Sequence, residues 1–247
     1  MPHASSPGVF VLAAHGTHSP LGRACVRALT DAVRLRRTDI EFVDAFVSVQ
    51  TPSPDDVVSR LAGGGPITIV PILLSAGFHV RIDLQRAAGL ASGTRVTSPL
   101  GPDPRLASLL GRRLADAGVT PGDGRIVTLA DAGSRGLAAQ RDVTAMAGML
   151  ARHMGRPVSV SHASAAEPLT TELVAEQREL GREVAVASYL LAPGHFATKL
   201  ADSGAELVTA PLIPAEAADA PSAVPNELVE LVLDRAGLLE AATSLTA

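Results

Sequence analysis

Short apolar runs rich in Val, Ile, Leu and Ala recur along the chain, each followed by a longer stretch whose apolar positions return every three or four residues. A short run bounded by turn residues reads as a buried strand, and the 3.6-residue period reads as a helix packed along one side. Their alternation predicts an α/β protein built on parallel strands with crossover helices. Val9 to Ala14 is the first strand, and a helix opens at Ser19-Pro20 and runs to about Arg37, with Ser19 as its N-cap. Ile40 to Val49 is the next strand. Pro52 to Pro54 breaks it, a short helix reaches Ala62, and Gly63-Gly64-Gly65-Pro66 turns the chain into the strand Ile67 to Leu74. Helix 82–91, strand 94–100 and a helix from Pro104 to Ala117, stopped at Gly118, complete the series.

The same order then returns. Strand 125–132, helix 136–152, strand 158–163 and helix 167–180 are followed by strand 183–191, helix 196–203, strand 205–212 and a terminal helix from about 222. A shift of 117 lays Val11-Leu12-Ala13 on Thr128-Leu129-Ala130, Leu73-Leu74 on Leu190-Leu191 and Gly77 on Gly194, and a shift of 112 lays Ser98-Pro99-Leu100 on Ala210-Pro211-Leu212. One offset holding across two separated strands points to a duplicated unit. Thr120-Pro121-Gly122-Asp123-Gly124 reads as the linker, so we expect one domain over 1–119 and a second over 124–247, each with a mostly parallel four-stranded sheet flanked by helices.

Composition narrows the possibilities. Of 247 residues, 47% are hydrophobic and 19% charged, which excludes a disordered chain. Aromatics are only 2%, with no Trp, so stacking platforms for single-stranded nucleic acid are not expected. The lone Cys25 excludes a disulfide framework or a cysteine zinc cluster and fits a reducing cytoplasm. No leader pattern precedes Val9 and no apolar run approaches the roughly 18 residues of a membrane span. The net charge of -4 argues against a nucleic-acid partner but is unevenly spread: residues 1–123 carry 12 basic and 10 acidic side chains (net +2), residues 124–247 carry 9 and 15 (net -6). An anionic ligand is therefore better tolerated by the first half. Of 21 bases only Lys199 is not Arg, a bias we attribute to coding composition.

In open α/β sheets, ligands bind beyond the carboxyl ends of the strands. Two such ends carry histidine: Ala13-Ala14-His15-Gly16-Thr17-His18 after the first strand, and Leu73-Leu74-Ser75-Ala76-Gly77-Phe78-His79 after the third. A single histidine at a strand end is commonly a hydrogen-bonded structural residue. Two at equivalent ends, each in a glycine-containing turn, point to a metal or proton-transfer site, since neutral imidazole binds first-row divalent metals and its pKa of about 6.5 suits proton transfer. Both roles stay open on these residues alone.

Ala14-His15-Gly16-Thr17-His18-Ser19-Pro20, together with Pro71-Ile72-Leu73-Leu74-Ser75-Ala76-Gly77-Phe78-His79-Val80-Arg81-Ile82-Asp83, resembles the sirohydrochlorin chelatases of the CbiX/SirB type. The second string is the more specific, and the resemblance spans the chain, because long members of the family carry two such halves in a class II chelatase fold. It implies a cytoplasmic enzyme inserting a divalent metal, ferrous iron or cobalt, into an anionic modified tetrapyrrole, with no organic cofactor and as monomer or homodimer. Iron is the first expectation because sirohaem is the more widespread product. His15 and His79 match the family's metal-site histidines. Gly16, Ser75, Gly77 and Arg81 are the expected substrate contacts, although Arg81 also fits a solvated helix position. His18 stands where the family often has Arg, and reads either as a third imidazole at the cleft or as a surface turn residue.

Two departures matter. Where the family commonly ends the second strand in a carboxylate, this chain has Ser48, and Asp44 lies four residues and about 13 Å back along a strand. The departure keeps a second class open, a protein that holds tetrapyrrole or metal without inserting it. In the second half His15 falls on Ala132 and His79 on Phe196, while His195 falls opposite Phe78 and, with one gap, His162 opposite Phe46. That half is read as a degenerate site in which His162 and His195 are structural or peripheral. His3 reads as a tail residue, and His153 as one suited to a helix C-terminus.

Overall fold

The computed structural model describes residues 8–120 and 122–239, and of His79 and Arg81 the backbone alone. His3 and Pro121 lie outside the described residues.

Two sheets of four parallel strands carry the fold. In the first, β1 (Val9–Ala14), β2 (Phe42–Phe46), β3 (Ile67–Ile72) and β4 (Thr94–Val96) lie in the order β2-β1-β3-β4. In the second, β5 (Ile126–Asp131), β6 (Ser159–His162), β7 (Val184–Ser188) and β8 (Leu207–Val208) repeat it as β6-β5-β7-β8. The helices are α1 (Pro20–Arg36), α2 (Pro54–Leu61), α3 (Leu84–Ala88), α4 (Pro104–Asp116), α5 (Leu137–Met154), α6 (Thr170–Glu179), α7 (His195–Ala201) and α8 (Asn226–Ala236).

Both faces of each sheet are covered, which is why the strands read as continuous apolar runs rather than as alternating ones. The two-residue period reappears in how those runs are shared out. Phe10, Leu12 and Ala14 face one large core that also holds Val127, Leu129, Ala185 and Ala187 of the second sheet, together with buried residues of α1, α4, α5 and α8. Val11 and Ala13 face the other way, onto Val57 and Val58 of α2 and Leu84 and Ala87 of α3. Ala130, Val184 and Val186 do the same toward Leu173 and Val174 of α6 and Leu200 of α7. Four helices are thus sandwiched between two sheets, and the remaining helices pack outside.

The last helix of each series crosses over. α4 packs on α5 and reaches β7 of the second sheet, while α8 packs on α1 and reaches β3 of the first. A polar network pins the crossing. Arg235 of α8 donates to the carbonyls of Pro99 and Leu100 and, at 3.0 Å, to Asp103, the α4 N-cap, which also takes two hydrogen bonds from the Arg105 guanidinium. Arg105 bonds Asp234 at 2.7 Å. Asp103 is buried. Burial pushes its carboxyl up, but the side chain, amide and charge of Arg105 and the hydrogen bond from Arg235 outweigh burial and hold it below the ordinary carboxylate range.

Several expected element bounds are corrected. The strands expected over 40–49, 94–100, 183–191 and 205–212 are shorter, Phe42–Phe46, Thr94–Val96, Val184–Ser188 and Leu207–Val208, because their C-terminal portions leave the ladder to build the loops at the sheet ends. The helix expected from residue 82 begins instead as a π-helical turn over His79–Asp83 that passes into α3. The terminal helix starts at Asn226, preceded by two short 3-10 turns, Ala215–Ala218 and Pro221–Ala223.

Candidate active site

β1 and β3 are hydrogen-bonded neighbours in register, Ala14 opposite Ile72, yet their crossover helices leave in opposite directions along the sheet. That reversal makes the crevice beyond their carboxyl ends the topological switch point. His15 is the first residue past β1, and the backbone of His79 opens the π turn past β3. The two histidines singled out from the sequence therefore come from adjacent strand ends. A π turn inserts an extra residue per turn and is frequent at functional sites.

His15 is exposed, and its Nδ1 lies 3.1 Å from the Gly16 carbonyl. A carbonyl only accepts, so this contact favours the tautomer with the proton on Nδ1 and the lone pair on Nε2. Gly16 has φ +87°, and a Cβ there would stand 2.0 Å from the Ser48 carbonyl, so the turn tolerates only glycine. The Ser48 amide in turn donates to the His15 carbonyl at 3.0 Å. Ser48 thus sits beside His15 through backbone contacts, just past the end of β2. Asp44 is committed elsewhere, bonding Arg34 at 2.8 Å, and does not replace the carboxylate that Ser48 lacks.

The turn is held from three further sides. The Thr17 amide donates to Gln50 Oε1 at 2.9 Å, Thr17 Oγ1 accepts from the Ser19 amide, and Arg23 Nε donates to the Thr17 carbonyl at 2.8 Å. Ser19 caps α1 by accepting from the Gly22 amide. His18 is exposed. Ser75 and Gly77 are partly buried in the segment that joins β3 to the π turn; the side chains of His79 and Arg81 lie outside the described residues. Among the described residues no group of three or more His, Cys, Asp or Glu side chains is placed to hold a metal.

The second half shows what became of the repeat. Gly133, at φ +90°, abuts the Ser164 carbonyl as Gly16 abuts that of Ser48, so Ala132 occupies the place of His15. Asp131 pairs with His162 in the register in which Ala14 pairs with Phe46. This puts His162 opposite Phe46, and its Nδ1 lies 2.5 Å from Asp131 Oδ1 with both side chains nearly enclosed. Burial pushes the Asp131 carboxyl up, an effect the His162 hydrogen bond and charge reduce without reversing. A small cavity of about 210 Å³ lies beside the pair, lined by His162, Gln140, Thr144 and Glu167. His195 is exposed at the start of α7 and lines an open groove of about 490 Å³ between the two halves, with Ser19 and Leu21 on the opposite wall.

Sequence reasoning did not find Gln50, Arg23, Asp142 or Tyr189. Asp142 Oδ2 accepts from the Ala76 amide at 2.7 Å, and the Tyr189 hydroxyl donates to the Leu74 carbonyl at 2.9 Å, both across the two halves. No signal in the sequence marked Asp142: the 117-residue offset lays it on Cys25, whose burial is seen only in the structure.

A duplicated parallel α/β architecture with histidine at the switch-point crevice of one half defines the class of protein: a two-lobed α/β fold with a candidate site beyond the strand ends. A family model described as CbiX matches residues 9–117 and 126–231, one stretch in each half. The chain belongs to the CbiX family. It is 25% identical over 130 residues to a sirohydrochlorin cobaltochelatase of Methanothermobacter thermautotrophicus, a match covering 43% of this chain and 90% of that one. The fold is that of SirB from Bacillus subtilis with Fe3+, at TM-score 0.71 and 19% identity over 94% of this chain and 98% of that one. The sirohydrochlorin chelatase SirB from Bacillus subtilis subspecies spizizenii in complex with cobalt superposes at TM-score 0.66 and 18% identity, with the same coverage. No helix among the described residues is long and apolar enough to cross a membrane.

Proposed function

We propose that this protein is a cytoplasmic sirohydrochlorin chelatase that inserts a divalent metal, ferrous iron in the first instance, using His15 and His79 of the N-terminal domain. The observation carrying the reading is the origin of these two histidines at adjacent strand ends of one switch-point crevice, the first of them in a turn that only glycine permits.

Metal and macrocycle are both substrates, and two pyrrole N–H protons must leave as the divalent ion enters. His15 is the imidazole proposed to meet the ion or to take a departing proton. His79 supplies the second imidazole from the adjacent strand end, at the start of the π turn. The net positive charge of the first half favours approach of an acidic macrocycle, with Arg81 and the backbone amides of Gly16 and Gly77 as its carboxylate donors and His18 and Ser75 at the rim. Ser48 supplies no carboxylate, so the histidines carry the proton transfer. Cobalt is the second reading, favoured by the name of the methanogen relative, because two imidazoles do not select between the metals.

The deciding experiment follows absorbance of sirohydrochlorin with Fe2+ and with Co2+ under anaerobic conditions. We expect insertion above the uncatalysed rate, faster with iron, and a loss of about 100-fold or more in His79→Ala, the lower range of what a positioned proton-transfer group contributes. A wild type no faster than buffer, with Ser48→Glu creating activity, establishes the carrier reading instead.

A further inference from the structure

The segment leading into the proposed metal site is held by the half that has Ala132 and Phe196 in place of the two histidines. Leu74, Ser75 and Ala76 run from β3 toward His79. The backbone on either side of Ser75 is fixed from across the cleft, the Ala76 amide by Asp142 of α5 at 2.7 Å and the Leu74 carbonyl by the hydroxyl of Tyr189, the first residue after β7, at 2.9 Å. Tyr189 is 2% exposed. Its reach is accommodated by Gly101, where a Cβ would lie 1.9 Å from the hydroxyl oxygen and 2.5 Å from the Leu74 carbonyl oxygen. The Asp142 bond is charge-assisted, which makes it stronger than an amide–carbonyl contact.

The repeat permits a control within the molecule. If these contacts served only to join the halves, their counterparts should exist in the opposite direction. At the 117-residue offset, Ala76 falls on Pro193, which has no N–H to donate; Asp142 falls on Cys25, whose thiol points to the Pro214 carbonyl; and Tyr189 falls on the buried apolar Ile72. At the equivalent segment, Leu191–Pro193, the reverse junction is made by packing, with the Pro193 carbonyl against Gly22 and Gly194 beside Ser19 and Thr17. The hydrogen-bonded clamp thus runs one way, toward the loop that leads to His79 and not toward the one that leads to His195.

We infer that Asp142 and Tyr189 are positioning residues that fix the Leu74–Ala76 segment, so that the metal site is built by one half and held in register by the other. The inference rests on the chelatase reading of His79. The π turn begins three residues beyond Ala76, so freedom at that amide passes directly to the histidine backbone.

The test uses the full-length protein and Co2+ as a spectroscopic probe. Wild type, Asp142→Ala, Asp142→Asn and Tyr189→Phe are compared by Co2+ titration, by the visible bands of the bound ion, and by kcat and KM for metal insertion, with thermal melting as the folding control. Supporting residues behind metal ligands are worth about 10 to 100-fold in affinity or activity. We expect Asp142→Ala to lose about tenfold in Co2+ affinity and kcat, with altered cobalt bands and KM for the tetrapyrrole within about twofold. Asp142→Asn, whose amide oxygen still accepts from Ala76, recovers most of the loss. Tyr189→Phe removes one hydroxyl from a buried ring and keeps the test open if Asp142→Ala does not fold. An active wild type whose Asp142→Ala and Tyr189→Phe forms bind cobalt and turn over like it overturns the inference alone, as does Asp142→Asn failing like Asp142→Ala. A wild type that neither binds Co2+ nor inserts metal overturns the chelatase reading and this inference with it.

Discussion

The first and second halves share strand order, a positive-φ glycine after the first strand and its contact with the carbonyl two residues past the second strand, yet they have diverged in what those features present. The first offers His15 beside Ser48. The second offers Ala132 beside Ser164, with the imidazole moved one strand over and turned inward onto Asp131. A scaffold that survives duplication with its turn geometry intact therefore says little about where the chemistry resides. Under the proposed reading, the residue next to the shared turn decides it, and the other copy serves as support.

The sharpest way to break this comparison is to separate its terms. Although the halves look like two domains, the apolar face of α4, with Leu106, Leu109, Leu110 and Leu114, is buried in the shared core, and α4 reaches the second sheet. A fragment of residues 1–119 is expected to lose native structure as a monomer, read by near-ultraviolet circular dichroism and sedimentation. A monomeric fragment with a cooperative melt would show that the halves are independent after all.

A smaller effect is expected at the crossing network, where Arg113 to the Leu212 carbonyl at 3.0 Å answers Arg235 to that of Leu100 but the carboxylate at its centre has no counterpart. Asp103 takes Arg105 and Arg235 together, whereas the 112-residue offset puts Ala215 in its place. Removing one member of a buried ion pair leaves the others uncompensated, and Asp103→Ala should cost about 3 kcal/mol in urea unfolding at pH 7. Because the native Asp103 carboxyl is held below its unfolded value, its contribution is present above about pH 4 and disappears as pH falls through the native value. The gap between wild type and variant should close in that acid range; a gap independent of pH would mean that the carboxylate charge is not what acts.

Asp131 has the opposite sign and the smallest expected effect. Its native carboxyl is raised by burial, so its contribution is fully present below the unfolded carboxylate value and is lost as pH rises through the native one. Asp131→Asn keeps an acceptor for His162 and removes a buried charge. It should change stability by less than about 1 kcal/mol at pH 7, gaining on wild type as pH is raised from 4 to 7. A variant that instead loses ground over that interval would assign the pair a stabilising ionic role.

Much of this organisation was legible in the linear chain. Strand existence, the parallel class and the repeat follow from apolar runs that are long because both sheet faces are covered. Strand ends were less legible, because residues such as Val47 and Leu74 stay apolar after leaving the ladder and still pack on the core. The placement of His15 followed from its turn. The π turn at His79 did not, since the residues 79–83 carry no helix-breaking mark and an inserted residue has no period of its own. Asp142 and Tyr189 were out of reach because their partners are backbone groups 66 and 115 residues away, and a backbone amide leaves no trace in a side-chain pattern.

The exchange of final helices also sets a timetable for synthesis. The residues of α4 leave the ribosome some 70 positions before β7 (Val184–Ser188), the strand they finally reach, is made. During that interval the leucine face of α4 has no permanent seat, and β3 waits longer still, until α8 at Asn226–Ala236 arrives. The nascent first half should therefore remain a client of chaperones that shield apolar surface until almost the whole chain has emerged.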